Sequence, residues 1–190
     1  MKRARIILAS ASPRRSELLR QIVDEFDVLP SDAPEIHDEQ LTAWEMAQVN
    51  AYRKARVVAK RFPDALVIGA DTLVYLDRET RLYGKPRTMT DASRMITELQ
   101  GKTHAVITGV CLLQLRPHRQ TVFAGWTDVT FHKLSKNQIG DYLKLIDPLD
   151  KAGGYAIQQH GERIVAAISG SYSNVVGLPL ELLRERLASW

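Results

Sequence analysis

Ile6-Ile7-Leu8-Ala9-Ser10-Ala11-Ser12-Pro13-Arg14-Arg15-Ser16-Glu17-Leu18-Leu19 decides the fold class. The apolar run from Ile6 to Ala9 reads as a buried strand, and it stops at two serines. Pro13 then opens an amphipathic helix carrying Leu18, Leu19 and Ile22; proline loses nothing at the first helical position, and Ser12 is a good N-cap. Backbone N–H groups, two hydroxyls and two guanidinium groups meet at that helix start. Helix dipole and unpaired donors favour an anion there, and the arginine fork suits phosphate oxygens. A capped helix with two solvated arginines accounts for the same residues equally well.

The 190 residues, 45% of them hydrophobic, predict one compact domain over 1–190 with a sizeable core. The net charge of +4 (26 basic minus 22 acidic) is scattered over small clusters at Lys2-Arg3-Arg5, Arg14-Arg15 and Arg53-Lys54-Arg56. That distribution suits a small anionic ligand better than a nucleic-acid backbone, so no nucleic-acid partner is expected. The single cysteine, Cys111, excludes an internal disulfide and reads as a small core residue, in keeping with a reducing cytosol. Lys2-Arg3 and the apolar stretch after it imitate a signal peptide, but Pro13-Arg14-Arg15 cuts the stretch short. No run has transmembrane length. A cytoplasmic protein with no membrane partner is expected.

Further along, Phe26 to Leu29 reads as a short strand and the acid- and proline-rich segment 30–39 as a loop. Thr42 and Glu45 form a capping box for a long helix to Arg61. Its apolar stripe of Trp44, Ala47, Ala51, Ala55, Val58 and Phe62 leaves Arg53, Arg56 and Lys60 on the solvated side. Lys54 falls on the inward face, where a lysine either snorkels along the core edge or points into a cleft. Leu66-Val67-Ile68-Gly69 is a buried strand running through Ala70-Asp71-Thr72 to Leu76. A turn over 77–80 returns the chain and sets Lys85 opposite Thr72, within one residue. Thr90 or Asp91 caps a helix closed by Gly101. Strands over 105–115 and 121–131 precede a helix capped by Ser135 and Gln138 that reaches Ile146. A strand from Arg163 to Ile168 and a helix from Pro179 through Leu187 close the chain. Helices alternate with strands, and the hairpins demand antiparallel pairing. The class is α/β, a single domain whose mixed, elongated central sheet is flanked by helices.

Three common templates fail. Gly101-Lys102-Thr103 lacks the earlier glycine of a P-loop, no Gly-x-Gly-x-x-Gly follows a strand, and the five histidines have no ligand spacing. His104 and His132 lie in strands and read as structural. What remains is a constellation of cations, Arg14, Arg15, Lys54 and Lys85, with two carboxylates at segment ends, Glu35 and Asp71. Phosphoryl chemistry needs such a set: cations offset phosphate charge, one carboxylate can hold Mg2+, and another can take a proton from water. A binding module, or charges with only a structural role, stays open on these residues alone.

Five blocks carry a specific resemblance: Ser10-Ala11-Ser12-Pro13-Arg14-Arg15; Gly69-Ala70-Asp71-Thr72; Gly84-Lys85-Pro86; Asp150-Lys151-Ala152-Gly153 with Ile157-Gln158; and Gly170-Ser171-Tyr172 through Val176-Gly177-Leu178-Pro179. In this order they resemble the Maf family of nucleoside triphosphate pyrophosphatases, once described as septum-formation inhibitors. The resemblance implies a fold like that of the inosine-triphosphate pyrophosphatases, with a central cleft. It also implies hydrolysis between the α- and β-phosphates, to monophosphate and pyrophosphate, with Mg2+ or Mn2+. By family motif Asp71 is the proton acceptor, and Ser10, Arg14, Arg15, Lys54 and Lys85 contact phosphate. Glu35 helps hold metal or water, with Asp71 as the second metal carboxylate. Arg14, Thr72 and Gln158 match the branch acting on dTTP and UTP, and modified pyrimidine nucleotides are a further expected substrate class. The 7-methyl-GTP branch, which usually carries Gln after the catalytic Asp, is the alternative, as is a non-catalytic nucleotide-binding regulator of cell division. Ala156 and Gln159 replace glycines common after the Asp-Lys-Ala-Gly block and flank Gln158, so they bear on base preference. The resemblance also admits a homodimer.

Overall fold

A computed structural model of the chain describes residues 5–76 and 81–190. Among the described residues the first half runs β1 (Ile6–Leu8), α1 (Pro13–Leu19), β2 (Asp27–Val28), α2 (Ala43–Arg61), β3 (Leu66–Leu76) and β4 (Arg81–Tyr83). The second half runs α3 (Met89–Leu99), β5 (Thr103–Gln114), β6 (Arg119–Phe131), α4 (Lys136–Leu143), β7 (Val165–Gly170), α5 (Tyr172–Val176) and α6 (Leu180–Ala188). The hydrogen-bonding order of the strands is β2-β1-β3-β5-β6-β7, with β4 added to β3. β1 pairs in parallel with β2 and β3, whereas β3–β4 and β6–β7 are antiparallel, so the sheet is mixed, as the hairpins required. The turn expected over 77–80 lies outside the described residues. No helix among the described residues is long and apolar enough to cross a membrane.

The chain divides into two compact units. The first holds the described residues up to Asp71 with Thr108–Gly125 and Gly177–Trp190; the second holds those of Thr72–Ile107 and Trp126–Val176. In the first, Ala51, Ala55, Val58 and Ala59 of α2 form a buried cluster with Ile7, Val67 and Cys111. Burial pushes the Cys111 thiol pKa up to about 12, so this cysteine is an inert core residue. The small α2 face has a purpose in packing. A Cβ on Gly69 of β3 would collide with the Ala51 carbonyl and stand 2.7 Å from the Ala55 nitrogen. One on Gly109 of β5 would collide with the Ala47 carbonyl and stand 2.7 Å from the Gln48 nitrogen. Helix backbone therefore rests directly on strand backbone, which only glycine on one side and alanine on the other allow.

The second unit has its own core of Val74, Tyr83, Ile96, Leu99, Val129, Phe131, Tyr142 and Tyr155. His104 stands edge-on to Phe131 and Tyr155 and hydrogen-bonds the Tyr155 hydroxyl at 2.9 Å. Burial lowers its pKa to about 4, which keeps it neutral near pH 7 as a structural histidine.

Local details depart from the sequence reading where side chains outcompete propensity. Thr88, not Thr90 or Asp91, caps α3, because its hydroxyl accepts from the Asp91 N–H while the Asp91 carboxylate pairs with Arg94. α4 stops at Leu143 short of Ile146, as the Leu145 N–H turns back to the Tyr142 carbonyl ahead of Pro148. The last strand starts at Val165, since Gly161–Arg163 form a 3-10 turn. His132 falls just past the end of β6, and Arg53 is half-buried where solvent was expected. The capping boxes at Thr42 and Ser135 form as read.

Two glycine substitutions should therefore act in opposite directions. Gly69→Ala has to push α2 off β3, an overpacking cost of about 1–3 kcal/mol or more. Gly140→Ala in α4, where a Cβ meets open space, should add about 1 kcal/mol of helix stability. Urea unfolding of the two variants measures both, and a Gly69→Ala protein as stable as its parent would contradict the packing.

Candidate active site

Asp71 closes the first unit on β3, two residues past the Gly69 contact, and is only 3% exposed. A carboxylate that deep has to be paired. Lys54 Nζ donates to its Oδ1 at 2.6 Å, and Asn50 Nδ2 donates to its Oδ2 at 3.1 Å. Asn50 and Lys54 stand one turn apart on α2, so the helix that lies on Gly69 also delivers both partners. Lys54 Nζ reaches further, donating to Glu35 Oε1 at 2.6 Å. One ammonium thus bridges two carboxylates, one from a strand and one from the irregular segment 30–39. The inward placement of Lys54 read from the helical wheel is borne out, with 14% of its side chain exposed.

The strand-to-helix turn at β1–α1 supplies the other cations of this unit. Ser12 occupies the N-cap position that the sequence assigns it, but its side chain makes no cap hydrogen bond. Ser10 is the working hydroxyl instead: its Oγ accepts from the Ser12 N–H and from Arg15 Nη1, each at 3.2 Å. Arg15 Nε donates to the Gly177 carbonyl at 2.8 Å, tying the turn to the loop before α6. Arg14 and Arg15 are both half-buried, not solvated. Burial is the largest influence on Arg15 and lowers its pKa from the ordinary value; the Asp71 and Glu35 charges oppose that shift, and Arg14 adds to it. Arg14, Arg15, Glu35 and Asp71 therefore act on one another electrostatically within the first unit.

Thr72, Lys85 and Gln158 belong to the second unit. The β3–β4 register pairs Val74 with Tyr83, and two further steps would set Lys85 against Thr72, as the sequence predicts. The ladder ends first, at Tyr83, and Lys85 is exposed. Gln158 and Gln159 are exposed as well. Ala156 turns inward instead: its amide donates to the Tyr142 hydroxyl, which donates back to the Ala156 carbonyl. The sequence reading missed Asn50. Its signal was a lone amide one turn before Lys54 on an otherwise apolar face. It also missed the Gly177 carbonyl, which only the fold brings to Arg15.

Among the described residues no group of three or more His, Cys, Asp or Glu side chains forms a metal cage. The donor set does fit a hard divalent cation of another kind. Mg2+ takes one or two carboxylates and completes its octahedron with water and phosphate oxygens, and Mn2+ suits similar oxygen donors. Glu35 and Asp71 are two such carboxylates, and the Lys54 ammonium between them marks a place that stabilises positive charge.

A family model described as Maf-like protein matches residues 5–190. The dTTP/UTP pyrophosphatase of Gloeobacter violaceus is 47% identical over 186 residues, covering 98% of this chain and 96% of that protein. The dTTP/UTP pyrophosphatase of Acetivibrio thermocellus is 43% identical over 190 residues, covering 96% and 94%. Among solved structures, a Ham1 protein from Staphylococcus aureus superposes with a TM-score of 0.55 at 15% identity, over 97% of this chain and 98% of that one. That likeness is one of fold, and it agrees with the α/β class and the fold relationship expected from the sequence.

Removing Lys54 leaves the buried Asp71 charge without its cation, so Lys54→Met should cost about 3–5 kcal/mol of unfolding free energy. Glu35→Gln, at the exposed end of the same bridge, should cost about 1 kcal/mol or less. Urea melts of the two variants test the asymmetry; equal costs would contradict it.

Proposed function

The chain belongs to the Maf family, and from that premise we propose that it hydrolyses nucleoside triphosphates, dTTP and UTP foremost, to the monophosphate and pyrophosphate. The observation that carries the reading is the buried Asp71 carboxylate, held on one oxygen by Lys54 and on the other by Asn50. Each carboxylate oxygen has a second lone pair left after those bonds, so Asp71 can still accept a proton from water. The water oxygen bonds to the α-phosphorus, the bond from that phosphorus to the α–β bridging oxygen breaks, and pyrophosphate leaves. Asp71 takes the proton that the water gives up.

Lys54 is proposed to keep Asp71 and Glu35 together and to carry positive charge toward phosphate. Arg15 and Ser10, bonded to each other at the start of α1, are proposed phosphate contacts with Arg14. Glu35 and Asp71 would hold a divalent cation, which when bound offsets charge on the phosphate oxygens. Phosphate contact by Lys85, and choice of base by Arg14, Thr72 and Gln158, rest on the family motif. A uracil or thymine edge presents two carbonyl acceptors around one N–H, which an amide and a guanidinium can satisfy. Ala156, two residues before Gln158, faces inward onto Tyr142, while Gln159 supplies a further polar group next to Gln158. The reading places the protein in the cytoplasm acting on a small nucleotide, with neither nucleic acid nor membrane as partner.

A panel of nucleoside triphosphates with Mg2+ or Mn2+, assayed for pyrophosphate, tests the proposal. Pyrophosphate from dTTP and UTP is the expected result. Single phosphate without pyrophosphate would overturn the reaction, and turnover of 7-methyl-GTP alone would overturn the branch. Asp71→Asn should abolish turnover yet bind nucleotide, as read by calorimetry; retained activity would remove Asp71 as the base.

A further inference from the structure

We infer that Asn50 is a positioning residue for this reaction, locking the Glu35-bearing segment and the Asp71 carboxylate to one another. Asn50 is 1% exposed on the inner face of α2, among alanines. A buried amide has two N–H donors and one carbonyl acceptor to satisfy. Its Oδ1 accepts from the Ile36 N–H at 2.9 Å. Its Nδ2 donates to the Ile36 carbonyl at 3.3 Å and to Asp71 Oδ2 at 3.1 Å. Ile36 offers one donor and one acceptor, which settles which end of the amide is which. The remaining N–H then points at Asp71 by necessity.

Packing alone does not explain the residue. Leucine would fill a similar volume and has the higher helix propensity. What asparagine adds is a two-point grip on the backbone of Ile36, whose neighbour is Glu35. Segment 31–38 contains no helix or strand that could fix its own position. The Lys54–Glu35 pair also ties it down, but Glu35 is 37% exposed, where solvent screens an ion pair and leaves it weak. The two bonds to Ile36 are part-buried, and losing them leaves a backbone N–H and a backbone carbonyl without their partner, which costs more than the bonds themselves contribute. The amide therefore outweighs the ion pair in holding Glu35 near Asp71. It also occupies Asp71 Oδ2 with a neutral donor, which leaves Oδ1 as the oxygen facing Lys54.

The inference rests on the pyrophosphatase reading, and its test keeps the two apart. The full chain is compared with Asn50→Leu and Asn50→Asp by circular dichroism, by steady-state release of pyrophosphate from dTTP and UTP, and by hydrogen exchange at the Ile36 amide. Asn50→Leu should speed Ile36 exchange and lower kcat about 10- to 100-fold, as loss of a residue that orients a reacting group does. KM should move far less than kcat, because Asn50 itself touches no substrate. Asn50→Asp keeps an acceptor for the Ile36 N–H but loses the donors and sets a second carboxylate against Asp71. Its Ile36 exchange should lie between parent and Asn50→Leu, with kcat as low or lower. Parental kcat in Asn50→Leu, a loss carried by KM alone, or unchanged Ile36 exchange would each overturn the inference. If Asn50→Leu does not fold, Asn50→Asp carries the same comparison. If the parent chain itself releases no pyrophosphate, the pyrophosphatase reading fails, while Ile36 exchange still reports whether Asn50 grips the segment.

Discussion

The constraint on which the site depends is the direct seating of the α2 backbone on β3 and β5. Gly69 and Gly109 remove the side chains that would hold the helix away, and Ala47, Ala51 and Ala55 keep its inner face thin. At that distance Asn50 and Lys54, one turn apart, reach a carboxylate two residues past Gly69. A helix held off by a methyl group would stretch the bonds by which Asn50 and Lys54 reach Asp71, a buried carboxylate that needs them. Packing and chemistry are the same constraint here.

Lys54 then decides how two like charges coexist. Glu35 and Asp71 share its ammonium at 2.6 Å each, so one positive charge stands against two carboxylates that would repel each other without it. Desolvation of the Lys54–Asp71 pair is offset by charge-assisted bonds worth about 1.5–3 kcal/mol each, with Asn50 adding one to Asp71. Arg15, half-buried and bonded to Ser10 and to the Gly177 carbonyl, adds fixed positive charge at the start of α1. The whole set draws on α1, α2, β3, segment 30–39 and the loop before α6.

Much of this was legible in the sequence because it is periodic or local. The alanine stripe of α2 put Lys54 inward, the hairpin pattern gave the antiparallel β3–β4 pairing as far as Val74 and Tyr83, and the capping boxes at Thr42 and Ser135 name their own helix starts. What escaped was long-range pairing. Ser10 and Ser12 are equivalent as text, and only the guanidinium of Arg15 makes Ser10 the hydroxyl that matters. Asn50 looks like an ordinary polar interruption until Ile36 and Asp71, 14 residues before it and 21 after, arrive against it. Thr88 and Thr90 are alike in sequence, but α3 already includes Thr90, and it is the Thr88 hydroxyl that accepts the N–H of Asp91.

In the proposed reaction, water activated at Asp71 attacks the α-phosphorus and pyrophosphate leaves. Turnover of UTP in water enriched in oxygen-18, with products resolved by mass spectrometry, shows which phosphorus is attacked. The label should appear in the monophosphate and not in the pyrophosphate. Label in the pyrophosphate would place the attack on the β-phosphorus and contradict the claim.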